Sequence, residues 1–179
     1  MYSELVALFS RNEEEAKLVS NEKLRLYKEI NMFDNADLQP FCQTIAYTNL
    51  KLVKSYLAQT SEDINQKLFY FNTITGFETP LLRKYPMTTG MFNWHFDASN
   101  LDSSRRVLAI VYYLNTVEDA FLEFSLAGET YRFSPIAGQA IIYPTSFQFL
   151  HREVSSKIKD RYVISTFALL PNKKEYPTD

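Results

Sequence analysis

The chain contains two histidines, and each lies in a short stretch with the residue pattern of a β-strand. His95 belongs to the run Phe-Asn-Trp-His-Phe-Asp at residues 92–97. Side chains two residues apart on a strand project from the same face, so His95 and Asp97 point one way, whereas Trp94 and Phe96 point the other way. An imidazole nitrogen and a carboxylate oxygen side by side can hold a metal ion together.

The second histidine, His151, lies in another strand-like run and could supply a third ligand. Two histidines and one carboxylate on one face of a metal leave three positions open, the arrangement of non-haem Fe(II) oxygenases. Zinc accepts the same donors, so the ligands alone do not choose the metal. Arg161 follows ten residues after His151, and a guanidinium binds a carboxylate through two parallel hydrogen bonds. A dicarboxylate co-substrate needs such a partner and a plain zinc hydrolase does not, which favours the oxygenase.

Helical spacing of apolar residues predicts that the first 65 residues form a support for these strands. Residues 13–30 are predicted to form one helix with Asn12 as its N-cap. Residues 37–59 carry apolar side chains at steps of three and four and are predicted to form a second helix. We expect both helices to pack on one face of a sheet.

From residue 68 onward, short β-rich stretches alternate with loops that contain Pro, Gly, Asp and Ser. Many short strands without intervening helices favour a sandwich or barrel over a parallel α/β sheet. The predicted organisation is a single domain of residues 1–179, with helical support at 1–65, a catalytic core at 66–170 and a tail at 171–179. The predicted strands are 68–72, 81–85, 91–97, 107–114, 121–124, 130–133, 140–143, 147–152 and 161–169.

The composition narrows the class of protein. The 179 residues are 46% hydrophobic and carry a net charge of -2, which excludes a disordered tail or a collagen-like fibre and gives no basic excess for nucleic acid. One cysteine, Cys42, cannot form an internal disulfide and is compatible with a reducing compartment. No basic leader and no run of 18 apolar residues is found. We therefore expect a soluble cytoplasmic protein that does not bind membranes.

Three segments of residues 81–170 match a known pattern. The first is Arg-Lys-Tyr-Pro at 83–86, then Gly90 and His-Phe-Asp at 95–97; the second is Arg106 with Tyr-Tyr-Leu-Asn at 112–115. The third is Gly-Gln-Ala-Ile-Ile-Tyr-Pro at 138–144, followed by His151 and Arg161-Tyr162. In these segments the chain resembles the prolyl 4-hydroxylase-like branch of the Fe(II)- and 2-oxoglutarate-dependent dioxygenases.

The resemblance implies a mainly β (α+β) fold, a double-stranded β-helix (jelly-roll) core buttressed by N-terminal helices. It implies that Fe(II) is bound by His95, Asp97 and His151. Arg161, helped by the Tyr113 hydroxyl, would bind the C5 carboxylate of 2-oxoglutarate, and Tyr85 would lie near its metal-chelating end. Arg106 resembles an arginine near the substrate entrance. O2 would be the oxidant, ascorbate is a candidate reductant, and succinate and CO2 would be released.

The resemblance leaves the substrate open. Many relatives have a Gly-Gly pair where this chain has residues 118–124, and residues 152–160 lack the usual Pro and Gly. A prolyl residue in a peptide or protein is the first candidate, with loop 98–104 lining a groove, and a free amino acid or small metabolite is the second. A nucleic-acid demethylase fits less well, because Phe167 stands where that branch has a second arginine. A non-catalytic jelly-roll that binds a ligand or partner is the alternative from another class, and the sequence does not indicate an oligomeric state.

Overall fold

A computed structural model describes residues 1–21, 23–60, 63 and 72–171. Its helices are α1 (Tyr2–Arg11) and α2 (Gln39–Thr60), and one 3-10 turn, Glu13–Glu15, follows α1. The strands are β1 (Lys17–Asn21), β2 (Arg25–Asn31), β3 (Gly76–Phe77), β4 (Leu81–Tyr85), β5 (Met91–His95), β6 (Arg106–Tyr113), β7 (Phe121–Leu126), β8 (Glu129–Phe133), β9 (Ala140–Pro144), β10 (Leu150–Val154) and β11 (Arg161–Leu169). Neither helix is both long and apolar enough to cross a membrane; this holds for the residues just described.

The strands form one antiparallel sheet that curls into a half-barrel. Its order is β8-β7-β10-β5-β2-β4-β11-β6-β9, with β1 paired to β2 and β3 paired to β11. Strands distant in the sequence are thus neighbours in space, as β5 and β10 are. The curl gives the sheet a concave face, on which the candidate site lies.

Alternating side chains of the central strands pack on both faces of the sheet. On β6, Ile110 packs against Val53 of α2, whereas Val111 and Tyr113 pack on the concave face beside Val163 of β11. A strand covered on both sides reads as an almost continuous apolar run rather than an alternating one. This explains why eight successive residues of β11 are buried.

The predicted helix at 13–30 is wrong, because most of this segment forms the β1–β2 hairpin. Tyr27 and Ile30 are both buried and three residues apart, a spacing also typical of a helix. In β2 they point to opposite faces, Tyr27 into the concave face and Ile30 toward the helices. The pairing of β2 with β4 and β5 satisfies its backbone and outweighs the weak helical pattern. Asn12 is the C-cap of α1, where its backbone N–H donates to the Leu8 and Phe9 carbonyls.

The other elements lie close to their predicted positions. The helix predicted at 37–59 is α2, and Pro40 lies in its first turn, where a missing N–H costs no hydrogen bond. Eight of the nine predicted strands are present within a few residues. The strand predicted at 147–152 begins only at Leu150, because Phe149 donates its N–H to the Ser146 carbonyl in a turn. Of the strand predicted at 68–72 only Asn72 is among the described residues, and it is helical; the tail beyond residue 171 also lies outside them.

The turn between β4 and β5 places Tyr85 on one side and leads to His95 on the other. Gly90 donates its N–H to the Pro86 carbonyl at 2.7 Å, which draws the chain back on itself. A Cβ atom at residue 90 would lie 2.5 Å from the Tyr85 carbonyl carbon and from the Pro86 nitrogen. Only glycine permits this close backbone approach.

Candidate active site

The two histidines are direct cross-strand partners. His95 ends β5 and lies opposite His151 of β10, with ring centroids 4.2 Å apart. Asp97 follows two residues after His95, and one ligand atom from each of the three residues lies within 4.8 Å of the others. The structure therefore brings together the three predicted metal ligands, from strands that are 56 residues apart in the sequence.

Backbone carbonyls orient both imidazole rings. His95 Nδ1 lies 2.7 Å from the Asn93 carbonyl, and His151 Nδ1 lies 2.9 Å from the Phe149 carbonyl. A nitrogen facing a carbonyl carries the proton, so each ring has its lone pair on Nε2. The two Nε2 atoms face Asp97, at 3.7 Å from Oδ1 for His95 and 3.6 Å from Oδ2 for His151.

The electrostatics of this cluster fit a bound cation. Asp97 Oδ2 is buried and has no hydrogen-bond partner among the described residues. Burial by itself would raise the pKa of Asp97, but the two histidines and Arg106 outweigh it and hold the pKa below its usual value. Burial is also the main cause that lowers the pKa of His151 and keeps this ring neutral. A charged carboxylate that faces two imidazoles provides the donors that Fe(II) or Zn(II) requires.

A bulge in β5 sets the direction of His95. The pairing of β5 with β10 shifts between His151 and Glu153, which lies opposite Phe92. Phe92 and His95 are three residues apart and would point to opposite faces of a regular strand. The extra residue brings them to the same face, where the two rings stack at 3.4 Å with an interplanar angle of 10°. Such bulges commonly re-aim a side chain beside an active site.

The predicted co-substrate residues lie on neighbouring strands of the concave face. Arg161, with 1% of its surface exposed, lies opposite Tyr85 and places its guanidinium carbon 4.5 Å from the Tyr85 ring centroid. Tyr113 lies opposite Val163, two residues beyond Arg161. Its hydroxyl is buried without a hydrogen-bond partner in the described part of the chain. Burial raises the pKa of Tyr85 and of Tyr113 well above the usual range, so both hydroxyls remain donors.

Two residues of the site were not predicted. Glu153 is two residues after His151, and its Oε2 lies 2.8 Å from Arg161 Nη2. The two atoms form an ion pair, but their geometry is not that of a hydrogen bond. Neither atom has a hydrogen-bond partner among the residues described. The Tyr143 hydroxyl lies 3.3 Å from His151 Nε2. The period-two rule that places Asp97 beside His95 also places Glu153 on the face of His151, so the signal for Glu153 was present in the sequence.

Arg106 lies beside the metal ligands, but its guanidinium is already engaged. Nε and Nη2 bind the two carboxylate oxygens of Glu78 at 2.7 and 2.8 Å. Its guanidinium carbon lies 4.0 Å from the Phe167 ring centroid, and Nη1 donates to the Asp97 carbonyl at 3.5 Å. These contacts hold the backbone at Asp97, while one wall of the outer cavity is formed by Arg106.

Two neighbouring cavities share the candidate metal ligands His95 and Asp97 in their walls. The inner cavity has about 20 Å³ and is lined by residues that include His151 and Glu153. The outer cavity has about 430 Å³ and is lined by β1, β2 and the polar residues Ser99, Asn100 and Ser103. His95 and Asp97 line both cavities, so the outer cavity gives access to the ligands. The prediction that loop 98–104 lines a groove agrees with this arrangement.

Known structures share this fold. A prolyl-4-hydroxylase from Pseudomonas putida has a TM-score of 0.68 and 19% identity over 95% of this chain and 86% of that protein. A prolyl hydroxylase from Trichoplax adhaerens, solved with a hypoxia inducible factor peptide fragment, has a TM-score of 0.68 and 18% identity over 94% of this chain and 77% of that protein. A viral collagen prolyl hydroxylase from Paramecium Bursaria Chlorella virus-1 has a TM-score of 0.62 and 14% identity over 96% and 85%. At these identities the likeness shows the fold.

The predicted jelly-roll fold is thereby confirmed. No curated protein sequence is significantly similar to this chain. Residues 81–169, about half of the chain, match the family described as the 2OG-Fe(II) oxygenase superfamily. This segment contains the His-Asp-His cluster and Arg161. The chain thus belongs to the 2OG-Fe(II) oxygenase superfamily, whose members use Fe(II), 2-oxoglutarate and O2.

Proposed function

We propose that the protein is an Fe(II)- and 2-oxoglutarate-dependent hydroxylase that acts on a prolyl residue in a peptide or protein. The observation that carries the proposal is the cluster of His95, Asp97 and His151, with Asp97 Oδ2 unpartnered among the described residues and facing an imidazole lone pair. The family match over residues 81–169 supports the same chemistry.

In this proposal His95 Nε2, the Asp97 carboxylate and His151 Nε2 hold the iron. Bound Fe(II) supplies the activation of O2, coupled to oxidation of 2-oxoglutarate to succinate and CO2, with the second oxygen atom inserted into a substrate C–H bond. The Asn93 and Phe149 carbonyls fix the two rings in the ligating tautomer. Arg161 and Tyr113 bind the C5 carboxylate, the Tyr85 hydroxyl lies near the chelating end, and ascorbate keeps the iron reduced.

The proposed substrate class rests on the outer cavity and on the structural relatives. A cavity of about 430 Å³ that is open beside His95 and Asp97 has room for a proline ring with part of its peptide. Three of the similar structures are prolyl hydroxylases, and one was solved with a peptide fragment. Arg106, on the cavity wall, would act at the substrate entrance.

A free amino acid or small metabolite is the second candidate substrate. Lys17 and Arg25 line the outer cavity and would bind the carboxylate of a small acid. The assay described next separates the two substrate classes. The single-domain organisation and the cytoplasmic location stay predictions from the sequence.

The test is succinate formation from 2-oxoglutarate by protein loaded with Fe(II) under anaerobic conditions and then exposed to O2. The panel contains proline-containing peptides and free amino acids, with ascorbate present and absent. Succinate that increases with proline peptides, together with a mass increase of one oxygen atom on proline, is the expected result. Succinate that increases only with free amino acids would select the second candidate. Absence of both iron binding and 2-oxoglutarate binding would leave a non-catalytic binding module.

A further inference from the structure

The Glu153 carboxylate lies between the buried Arg161 guanidinium and the inner cavity. Glu153 lines that cavity, and Arg161, which is not among its lining residues, contacts Glu153 at 2.8 Å. Both are buried, with 7% of the Glu153 side chain and 2% of the Arg161 side chain exposed. A carboxylate that enters from the candidate metal ligands therefore meets Glu153 before it can reach Arg161.

The volume of the inner cavity is also too small for a dicarboxylate to reach Arg161 past Glu153. About 20 Å³ remains in the inner cavity, which is enough for about one water molecule. A five-carbon dicarboxylate that spans the metal ligands and Arg161 is several times larger. Side chains that line the cavity, Glu153 among them, must therefore move before such a ligand fits.

The charge balance of the site also favours competition between Glu153 and the co-substrate. A divalent metal and Arg161 bring three positive charges to the site, and Asp97 and Glu153 cancel two of them. Arg83, whose guanidinium lines the inner cavity, is paired with Glu29 at 3.0 Å. The dianion 2-oxoglutarate would leave the loaded site with a net negative charge, and its distal carboxylate would share one guanidinium with Glu153. Two carboxylates in a buried site repel each other strongly.

We propose that Glu153 is an internal competitor for the distal carboxylate of 2-oxoglutarate and sets a low affinity for this co-substrate. The proposal rests on the proposed function, because it assumes that Arg161 is the partner of that carboxylate. Arg161 Nε and Nη2 have no hydrogen-bond partner among the described residues, so the guanidinium has donors to offer once Glu153 moves. The Tyr113 hydroxyl is also buried without a hydrogen-bond partner among the described residues.

The experiment compares the wild-type protein with E153Q, both loaded with Mn(II) as a redox-inert substitute for Fe(II). Glutamine keeps the length of the side chain and an acceptor for Arg161 but removes the negative charge. Calorimetry measures the Kd of 2-oxoglutarate and of 2-oxobutyrate, which has the same 2-oxo acid end and lacks the distal carboxylate. We expect E153Q to bind 2-oxoglutarate at least about tenfold more tightly and 2-oxobutyrate with an unchanged Kd.

E118Q is the matched control, because it makes the same charge change at an exposed glutamate paired with Lys159. It should leave both Kd values unchanged. Circular dichroism confirms that E153Q is folded. If it is not, E153D serves instead, since it retracts the carboxylate by one methylene and should also bind 2-oxoglutarate more tightly.

Unchanged or weaker 2-oxoglutarate binding by the folded variant would overturn the proposal, as would an equal gain for 2-oxobutyrate. If Mn(II) binds but neither protein binds 2-oxoglutarate, the co-substrate assignment itself fails. The failure of the proposed function is thus distinguishable from the failure of this inference.

Discussion

Tyr112 and Tyr113 are adjacent in the sequence, but their hydroxyls lie on opposite faces of the sheet. Tyr112 donates its hydroxyl to Asn49 Oδ1 of α2 at 2.5 Å. Tyr113 points into the concave face, where its hydroxyl has no hydrogen-bond partner in the described ranges. One strand thus supplies a structural tyrosine and a candidate ligand-binding tyrosine in consecutive positions.

Y113F should therefore lower co-substrate affinity without a loss of stability. Removal of an unpartnered buried hydroxyl leaves the melting temperature of the metal-free protein unchanged or higher, because no hydrogen bond is lost. Loss of one hydrogen bond to the C5 carboxylate should raise the Kd of 2-oxoglutarate about fivefold or more. Calorimetry on the metal-loaded protein and thermal unfolding of the metal-free protein measure the two effects.

Y112F is the matched control for this pair. It should reduce the free energy of unfolding by about 1 kcal/mol, because Asn49 loses its partner, and leave the Kd of 2-oxoglutarate unchanged. The reverse pattern, with Y112F impairing binding and Y113F impairing stability, would contradict the assignment of the two faces.

D97N should weaken metal binding by more than about 100-fold, because an amide replaces the charged donor between the two imidazoles. Titration with Mn(II), followed by calorimetry, measures the change. The control is D102N, which makes the same chemical change in an exposed loop five residues away. H95A and H151A should likewise abolish iron-dependent turnover of 2-oxoglutarate. Full activity of either purified histidine variant would rule out the three-residue metal site.

G90A should destabilise the fold by about 2 kcal/mol or more, since the new Cβ would overlap backbone atoms of Tyr85 and Pro86. Chemical denaturation measures the change in the free energy of unfolding. G76A is the control, because a Cβ there meets no atom within 4 Å. Equal stability of the two variants would show that the β4–β5 turn relaxes at little cost.

Acid should weaken an ion-pair cluster on the outer sheet strands. Glu123 of β7 lies opposite Arg132 of β8 and Arg152 of β10, with contacts of 2.6 and 2.5 Å. Burial raises the pKa of Glu123, but the hydrogen bonds from Arg152 and Arg132 outweigh it and lower the pKa below the ordinary value of 4.5. The stability that the ionised Glu123 adds to the fold is thus complete above pH 4.5, and it is lost as the pH falls through the lowered pKa.

The measurement is the free energy of unfolding as a function of pH for the wild type and E123Q. The difference between the two proteins should be largest near neutral pH and shrink below pH 4.5. E129Q, a change at an exposed glutamate on β8, should not alter the curve. A difference that grows on acidification would contradict the sign of this pKa shift.

The candidate metal site was predictable because it depends on local rules. The alternation predicted for residues 91–97 puts His95 and Asp97 on one face; β5 ends at His95, but Asp97 in the bend that follows does lie beside it, and only one further histidine was available. The core strands were predictable for a similar reason, since turn residues separate them. Arg161 was a candidate from its chemistry and its place after His151, whereas Tyr113 required the family resemblance, because 12 tyrosines compete for any such role.

What could not be predicted depends on pairing between distant segments. β2 was assigned to a helix because one of its edges pairs with β4 and β5, 50 residues or more later, and only the other edge pairs with the neighbouring β1. The contact of Arg106 with Glu78 depends on where the chain before β4 passes. Glu153 was on the predicted face, but its ion pair with Arg161 depends on the orientation of two long side chains that alternation does not specify.

The bulge in β5 has a consequence for anyone who wishes to make this protein more robust. Bulges are usual targets for idealisation, because a regular ladder recovers unpaired backbone groups. A regular ladder that kept every residue of β5 would place Phe92 and His95 on opposite faces, and the imidazole would then leave the concave face. The bulge and the candidate metal site both depend on His95, so a stabilised version of this protein must gain its stability in another part of the fold.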